Sequence, residues 1–486
     1  MPLMKEVNMK EQLRLSFIYT ATAAFAPLLQ VLIQPLYEGT GRLNAVDFSH
    51  LAITELITSL VFVFTLYGMG NAISRFYYDV EEDSSAYKKL IAGIFSSILF
   101  RGLIVLVLIF AFQNYIGKLF NQPELQDFSS YGYACLVTGV GRAVNITAAA
   151  LFRNEKRIIG FILVSMGLGL FRTGFQLIGL FYFDMSFLGY INGSAIGTGV
   201  VTLCILSYLF WKSGLSYDRK MMKSVNQFAL PLTQYSLIVY ILTYADRLFL
   251  ERFPTELGIY NTAVTFSAGI AIILQGLQGA NQPEVFRIMK KGINEHQHEI
   301  RQLSNALLMQ SMVLIIGAIL PTMLYLALLY ETDVRLAVNI ISLVFIRSIL
   351  RTQFIVFSYP SYYLKKTKIF LYLNTASMIV NISLNYILIP AYFFYGAIAA
   401  GLIADVIMVV GIYFYQKKIV HIEWNKQKLL YFPFSVVAVA IIADILRINF
   451  SLNPFLTSGF LIVFSIAGMM SLYRAEIQTY LAKVWK

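Results

Sequence analysis

Five arginines stand inside stretches that are otherwise apolar: Arg101, Arg142, Arg172, Arg347 and Arg351. An ionised side chain at the centre of a bilayer costs roughly 2.5–3.5 kcal/mol on insertion scales, so it is rare without a reason. A guanidinium stays charged when partly desolvated, and its planar fork of donors matches phosphate oxygens. Arg347 and Arg351 are four residues apart and therefore share one helix face. Central acids are fewer than central arginines, which implies a wet cationic cavity and an anionic cargo. The competing reading pairs each arginine with Asp405, Asp246, Asp444 or a backbone carbonyl, simply to hold helices together. Of these acids only Asp405 reads as central. It is either a salt-bridge partner for an arginine or the carrier of a coupling proton.

The chain offers little other chemistry. His50, His296, His298 and His421 fall at helix ends or in loops, read as solvated residues, and imply no metal site. Cys135 and Cys204 lie in apolar helices and are expected to pack there. Asn71, Gln176, Asn374 and Asn381 are candidates either for sugar hydroxyls or for hydrogen bonds between helices. No GxxxxGK[ST] loop is present, so direct use of ATP is not expected. No cofactor is expected. A coupling ion, Na+ or H+, is left open.

The elements that must position these residues are membrane helices. Of 486 residues 58% are apolar and only 13% charged, with mean hydropathy +0.67. A soluble protein of this size could not bury so much apolar surface. At about 20 apolar residues per span, fourteen spans are predicted, at 14–36, 48–74, 87–112, 129–152, 157–182, 187–211, 226–250, 257–282, 301–329, 336–359, 367–391, 396–416, 429–447 and 455–473. The first, near Leu15 to Leu36, is too long for a signal-peptide core and lacks a clear cleavage site. The spans use nearly the whole chain, leaving no room for a soluble catalytic domain. A glycan polymerase or acyltransferase commonly needs a large outer loop or an embedded acid–base residue; the outer loops here are short and no histidine lies within a span, so an enzyme is not expected.

The net charge of +12 lies mostly in alternate loops, which is a topology signal rather than a nucleic-acid one. One set of loops carries Lys5, Lys10 and Arg14, then Arg75, Lys88 and Lys89, and continues in alternation to Lys365, Lys366 and Lys368 and on to Arg474, Lys483 and Lys486. The other carries only Arg42, Lys118, Arg247, Arg252, Arg335 and Arg447. The positive-inside rule makes the first set and both termini cytoplasmic. Trp211, Trp424 and Trp485 fall near the same interface.

The chain also reads as duplicated. Gly189-Tyr190-Ile191-Asn192-Gly193-Ser194-Ala195-Ile196-Gly197 and Gly396-Ala397-Ile398-Ala399-Ala400-Gly401-Leu402-Ile403-Ala404 share small residues in register at an offset of about 207. The expected organisation is a six-helix half over 1–212, a second over 213–418, and two additional helices over 419–486, with cargo bound between the halves. Gly160, Gly167, Gly169, Gly174, Gly189, Gly193 and Gly197 either allow close helix approach or mark bends.

Several segments carry a family likeness. Asn381-Ile382-Ser383-Leu384-Asn385-Tyr386-Ile387-Leu388-Ile389-Pro390 with Gly396-Ala397-Ile398-Ala399-Ala400, and Asp246-Arg247-Leu248-Phe249-Leu250 with Leu257-Gly258-Ile259-Tyr260-Asn261-Thr262-Ala263, resemble signatures of polysaccharide flippases. So does Gly68-Met69-Gly70-Asn71-Ala72-Ile73-Ser74-Arg75-Phe76-Tyr77. That family belongs to the multidrug/oligosaccharidyl-lipid/polysaccharide (MOP) superfamily. Phe393 stands where the pattern usually has glycine, and Gly401 where a hydroxyl residue is common. The resemblance implies an all-α integral membrane flippase for an undecaprenyl-diphosphate-type lipid-linked oligosaccharide, a repeat unit of O-antigen, capsule or exopolysaccharide. Its place would be the bacterial cytoplasmic membrane. It would act as a monomer among membrane lipids, with glycan-assembly proteins as possible partners. The alternatives are a lipid II-type flippase, whose expected arginines in the first two spans are missing here, and a drug or metabolite:cation antiporter, whose cavity would be acidic and aromatic.

Overall fold

The computed structural model describes residues 9–39, 42–183, 186–474 and 476–478. Lys5, Lys483, Trp485 and Lys486 of the topology argument lie outside the described residues, as do the side chains of Lys10 and Arg14. Among the described residues the chain is helical, with a lone β-bridge between Glu38 and Leu43. Twelve helices among the described residues are long and apolar enough to cross a membrane, and Ala21–Tyr37 is a shorter apolar one. The chain is an all-α membrane protein. Side chains such as Phe100, Val107 and Phe110 are exposed on its surface, which suits hydrocarbon rather than water.

Contacts group the chain into two compact units, Met1–Pro254 and Thr255–Lys486. The first contains α1 (Met9–Tyr37), α2 (Ala45–Leu66), α3 (Met69–Val80), α4 (Ser84–Gly117), the short α5 (Pro123–Gln126), α6 (Ser129–Asn154), α7 (Ile158–Ile178), α8 (Phe187–Ser213) and α9 (Arg219–Leu250). Local sequence sets the starts. Asn44 Oδ1 accepts from the N–H groups of Val46 (2.8 Å) and Asp47 (3.2 Å), while Asp47 Oδ2 accepts from the Asn44 N–H (2.9 Å). This reciprocal box satisfies the first turn of α2. Asp83 and Asp218 do the same service for α4 and α9. The Met221 N–H holds the Asp218 carboxyl below the usual carboxylate range.

The predicted span 48–74 is not one rod. Tyr67 takes a left-handed conformation (φ 46°), Gly68 follows at φ 68°, and α3 begins at Met69. Glycine is needed at 68 for space as well as for its φ, because a Cβ there would come 3.0 Å from the Ala229 carbonyl oxygen.

Small residues bring the helices of this unit together. A Cβ on Gly139 would meet Thr58 O at 2.8 Å, so α6 lies directly on α2. Gly193 and Gly197 of α8 face the α7 backbone at Phe175 and Phe171. Gly169 meets Ala26 at 2.9 Å, whereas Gly167 and Gly174 have open space around them and serve no close approach.

His50 corrects its reading as a solvated residue. It is buried on the inner face of α2, its ring 4.4 Å from that of Phe187 and its Nε2 3.7 Å from Glu124. Cys135 is buried, but Cys204 is exposed on α8. Trp211 is exposed, while Trp424 is buried against Phe357.

The second unit holds α10 (Pro254–Lys291, opening at the boundary), α11 (Gln297–Leu329), α12 (Ile341–Tyr363), α13 (Lys368–Ile419), α14 (Phe432–Phe450) and α15 (Pro454–Leu472). A 3-10 turn, Asp333–Asn339, leads into α12. α13 is 52 residues long but not continuous: Phe393 sits at φ 50°, ψ −130°, a kink between two helices that correspond to the predicted spans 367–391 and 396–416.

Candidate anion-binding site

The close α2–α6 and α7–α8 contacts gather a polar cluster inside the first unit. Arg142 on α6 donates from Nη1 to Glu55 Oε1 (2.5 Å) and from Nη2 to Glu55 Oε2 (2.7 Å), a two-pronged pair. Glu55 lies one turn before Ser59 on α2, and the Ser59 hydroxyl is 3.1 Å from Glu55 Oε1 and 2.9 Å from Tyr244 Oη on α9. Arg172 on α7 reaches the same carboxylate at 4.0 Å and donates from Nε to Ser194 Oγ at 2.8 Å. Gly193 and Gly197 flank Ser194, so the helix contact that they permit delivers the hydroxyl to Arg172.

A neutral layer adjoins this cluster. Gln30 Nε2 donates to Thr173 Oγ1 (2.7 Å) and Gln176 Oε1 (2.8 Å), and Tyr190 donates to Gln30 Oε1 (2.9 Å).

Formal charge decides what the cluster can do. Two guanidinium groups share one carboxylate, which leaves one positive charge. The side chains of Glu55, Arg142 and Arg172 keep 35%, 20% and 22% of their surface accessible. The charge count from sequence missed Glu55. It stands about two turns inside the predicted start of its span, and a lone acid among apolar neighbours was itself a signal that a buried cation faces it.

The other arginines lie elsewhere. Arg101 on α4 stacks its guanidinium 4.1 Å from the Tyr67 ring centroid and donates from Nη2 to Asn226 Oδ1 at 2.7 Å. Its Nη1 is buried without a hydrogen-bond partner, and no acid pairs with it among the described residues. It thus sits over the α2–α3 break. In the second unit Arg347 donates from Nε to Asp405 Oδ2 at 3.0 Å, both side chains being about one-seventh exposed (14% and 13%). A Cβ at Gly401, one turn before Asp405, would overlap the Arg347 guanidinium. Arg351, one turn along α12, is exposed and has no ion pair among the described residues. Of the other acids, Asp444 pairs with Arg447 (2.8 Å) and Asp246 lies 3.7 Å from Arg247.

The amides divide as well. Asn374 donates back to Phe370 O in its own helix and Asn385 bonds Asn381 one turn away, whereas Gln176 bonds across helices and Asn71 is exposed. Among the described residues no three His, Cys, Asp or Glu side chains gather as a metal ion would require.

The sequence model described as polysaccharide biosynthesis protein matches residues 13–289, more than half of the chain and all of the Glu55–Arg142–Arg172 cluster. The chain belongs to that family. No curated protein matches this family member in sequence. Its fold is shared with a solved lipid II flippase, MurJ, in an inward closed conformation: TM-score 0.65 at 14% identity, over 95% of this chain and 98% of that one. An inward-facing multidrug resistance MATE transporter of the MOP superfamily gives TM-score 0.66 at 10% identity, over 83% and 98%. A MOP superfamily transporter from Pyrococcus furiosus gives 0.55 at 15%, over 83% and 95%. At such identities the likeness concerns the fold alone, which is that of the MOP superfamily.

Proposed function

We propose that this polysaccharide biosynthesis family member is a flippase. Its cargo is a lipid-diphosphate-linked oligosaccharide, an O-antigen, capsule or exopolysaccharide repeat unit on an undecaprenyl-type carrier. It moves from the cytoplasmic to the outer leaflet of a bacterial inner membrane. The observation that carries this reading is the Glu55–Arg142–Arg172 cluster: an excess guanidinium within helices apolar enough to cross a membrane. Paired phosphates supply the missing negative charge, and arginine forks fit their oxygens. The carrier's tail stays in the bilayer while its headgroup passes. Arg101 and Arg351 serve as further cargo contacts, whereas Arg347 is engaged by Asp405, which is either its structural partner or the group that titrates with a coupling ion.

The family's description supports a role in polysaccharide assembly, and the fold shared with a lipid II flippase supports a lipid-linked cargo. Counting α13 as two crossings and α1 as one brings the twelve long helices to fourteen, and with the positive-inside rule both termini are cytoplasmic. The protein acts as a monomeric secondary transporter, catalyses no reaction, draws on Na+ or H+, and works beside glycan-assembly proteins.

Proteoliposomes loaded with a fluorescent lipid-diphosphate oligosaccharide test this. Wild type is expected to flip it, while Arg142→Ala/Arg172→Ala and Arg347→Ala/Arg351→Ala, correctly inserted, are not. Faster movement of lipid II in a parallel set would reassign the cargo. Uptake of cationic dyes without movement of either lipid would defeat the flippase reading.

A further inference from the structure

We infer that Glu55 is a resident stand-in for the cargo's phosphate, occupying the Arg142 fork until a diphosphate displaces it. The inference rests on the anionic-cargo reading above. A guanidinium edge offers two parallel donors, and both are taken by the Glu55 carboxylate at 2.5 and 2.7 Å. A phosphate needing the same edge must therefore exchange with Glu55 rather than add to it.

The surroundings of Glu55 suit exchange. A carboxylate expelled from its partner is ordinarily stranded, at high cost. Glu55 is not, because Ser59 is 3.1 Å away on its own helix and Arg172 stands 4.0 Å away on α7. It has a second resting place one short rotation from the first. With 35% of its surface accessible, it is also not sealed in, as a purely structural ion pair would be.

Exchange has a consequence for transport. A site with two free arginines would hold a diphosphate tightly and release it slowly. An internal competitor weakens binding and returns to the fork as cargo leaves, which restores the empty state. Glu55 is thus a positioning and release residue, and its removal would trade turnover for affinity.

The test uses the full chain in lipid nanodiscs, with inorganic diphosphate and farnesyl diphosphate as probes in titration calorimetry. Glu55→Gln is expected to bind the probes about tenfold more tightly than wild type, the scale of one charge-assisted interaction. Adding Arg142→Ala to that background should remove the gain. Glu55→Asp, which keeps the charge but not the reach, should fall between. A readout on wild type avoids dependence on the folding of any variant: dicyclohexylcarbodiimide modification of Glu55, followed by mass spectrometry, should rise when diphosphate is bound.

Unchanged or weaker binding by Glu55→Gln, with no rise in Glu55 modification, would overturn the inference. If Arg142→Ala still abolished binding in that case, the cationic site would survive. If Arg142→Ala left binding untouched, the site itself would fall. Tighter binding of farnesyl than of inorganic diphosphate supports a lipid-linked ligand, and equal binding overturns that part in favour of free diphosphate.

Discussion

Arg142 and Glu55 form a two-pronged pair, and the pair makes a double-mutant prediction. Arg142→Ala leaves the Glu55 carboxylate facing only Ser59 and a guanidinium 4.0 Å away. Breaking a fully buried pair costs several kcal/mol, but here the groups are one-fifth to one-third exposed, so a loss of about 1–3 kcal/mol is expected. Adding Glu55→Gln removes a charge that has lost its main partner and should recover part of that loss in thermal unfolding. Equal melting temperatures for the single and double variants would show that the unpaired Glu55 charge carries no cost. Gly401 makes a second case. The resemblance noted glycine where a hydroxyl is common, and the structure supplies the reason, since the Arg347 guanidinium occupies the space of a side chain there. Gly401→Ala should expel it from Asp405, at a cost of about 1–3 kcal/mol, and raise phenylglyoxal modification of Arg347. An Arg347 still protected in Gly401→Ala would refute that arrangement.

At the scale of elements, breaks in helices matter as much as helices. Phe393 holds φ 50°, ψ −130°, close to the first central residue of a type II′ turn, a position that glycine takes without strain. Phe393 is 40% exposed. Phe393→Gly should raise stability by about 1 kcal/mol, read as a higher melting temperature. A lower one would mean that the ring's contacts outweigh the backbone strain.

The same contrast explains what was legible in the sequence. Apolar runs located nearly every helix, because hydrocarbon demands length and polarity alone. The Tyr67–Gly68 break was not seen, because a left-handed residue needs no change of hydropathy and the run continues through it. Spacing along one helix placed Arg347 and Arg351 on one strip, yet one is sheltered by Asp405 and the other exposed. Periodicity gives a direction around a helix, not the distance to what lies there. The partners of Glu55 were illegible for the matching reason: they come from α6 and α7, and no pattern within α2 names them.

For the whole molecule the sharpest question is how often the chain crosses. α13 has 52 residues, roughly 78 Å if straight at 1.5 Å per residue, against a hydrocarbon core of about 30 Å. A single crossing would leave more than half of a strongly apolar helix in water, so the proposed fourteen-span topology has the kink at Phe393 turn the chain back near a membrane face. Lys365 and Lys366 before α13, and Lys417 and Lys418 at its end, then lie on one side, as the positive-inside rule requires. With Cys135 and Cys204 replaced by serine, single cysteines at these places can be probed with a membrane-impermeant maleimide. Tyr392→Cys is expected to label in intact cells, and Lys365→Cys and Lys418→Cys only after permeabilisation. Labelling of the two lysine positions from opposite sides would mean an odd number of crossings between them, and would overturn both the fourteen-span topology and the cytoplasmic C-terminus.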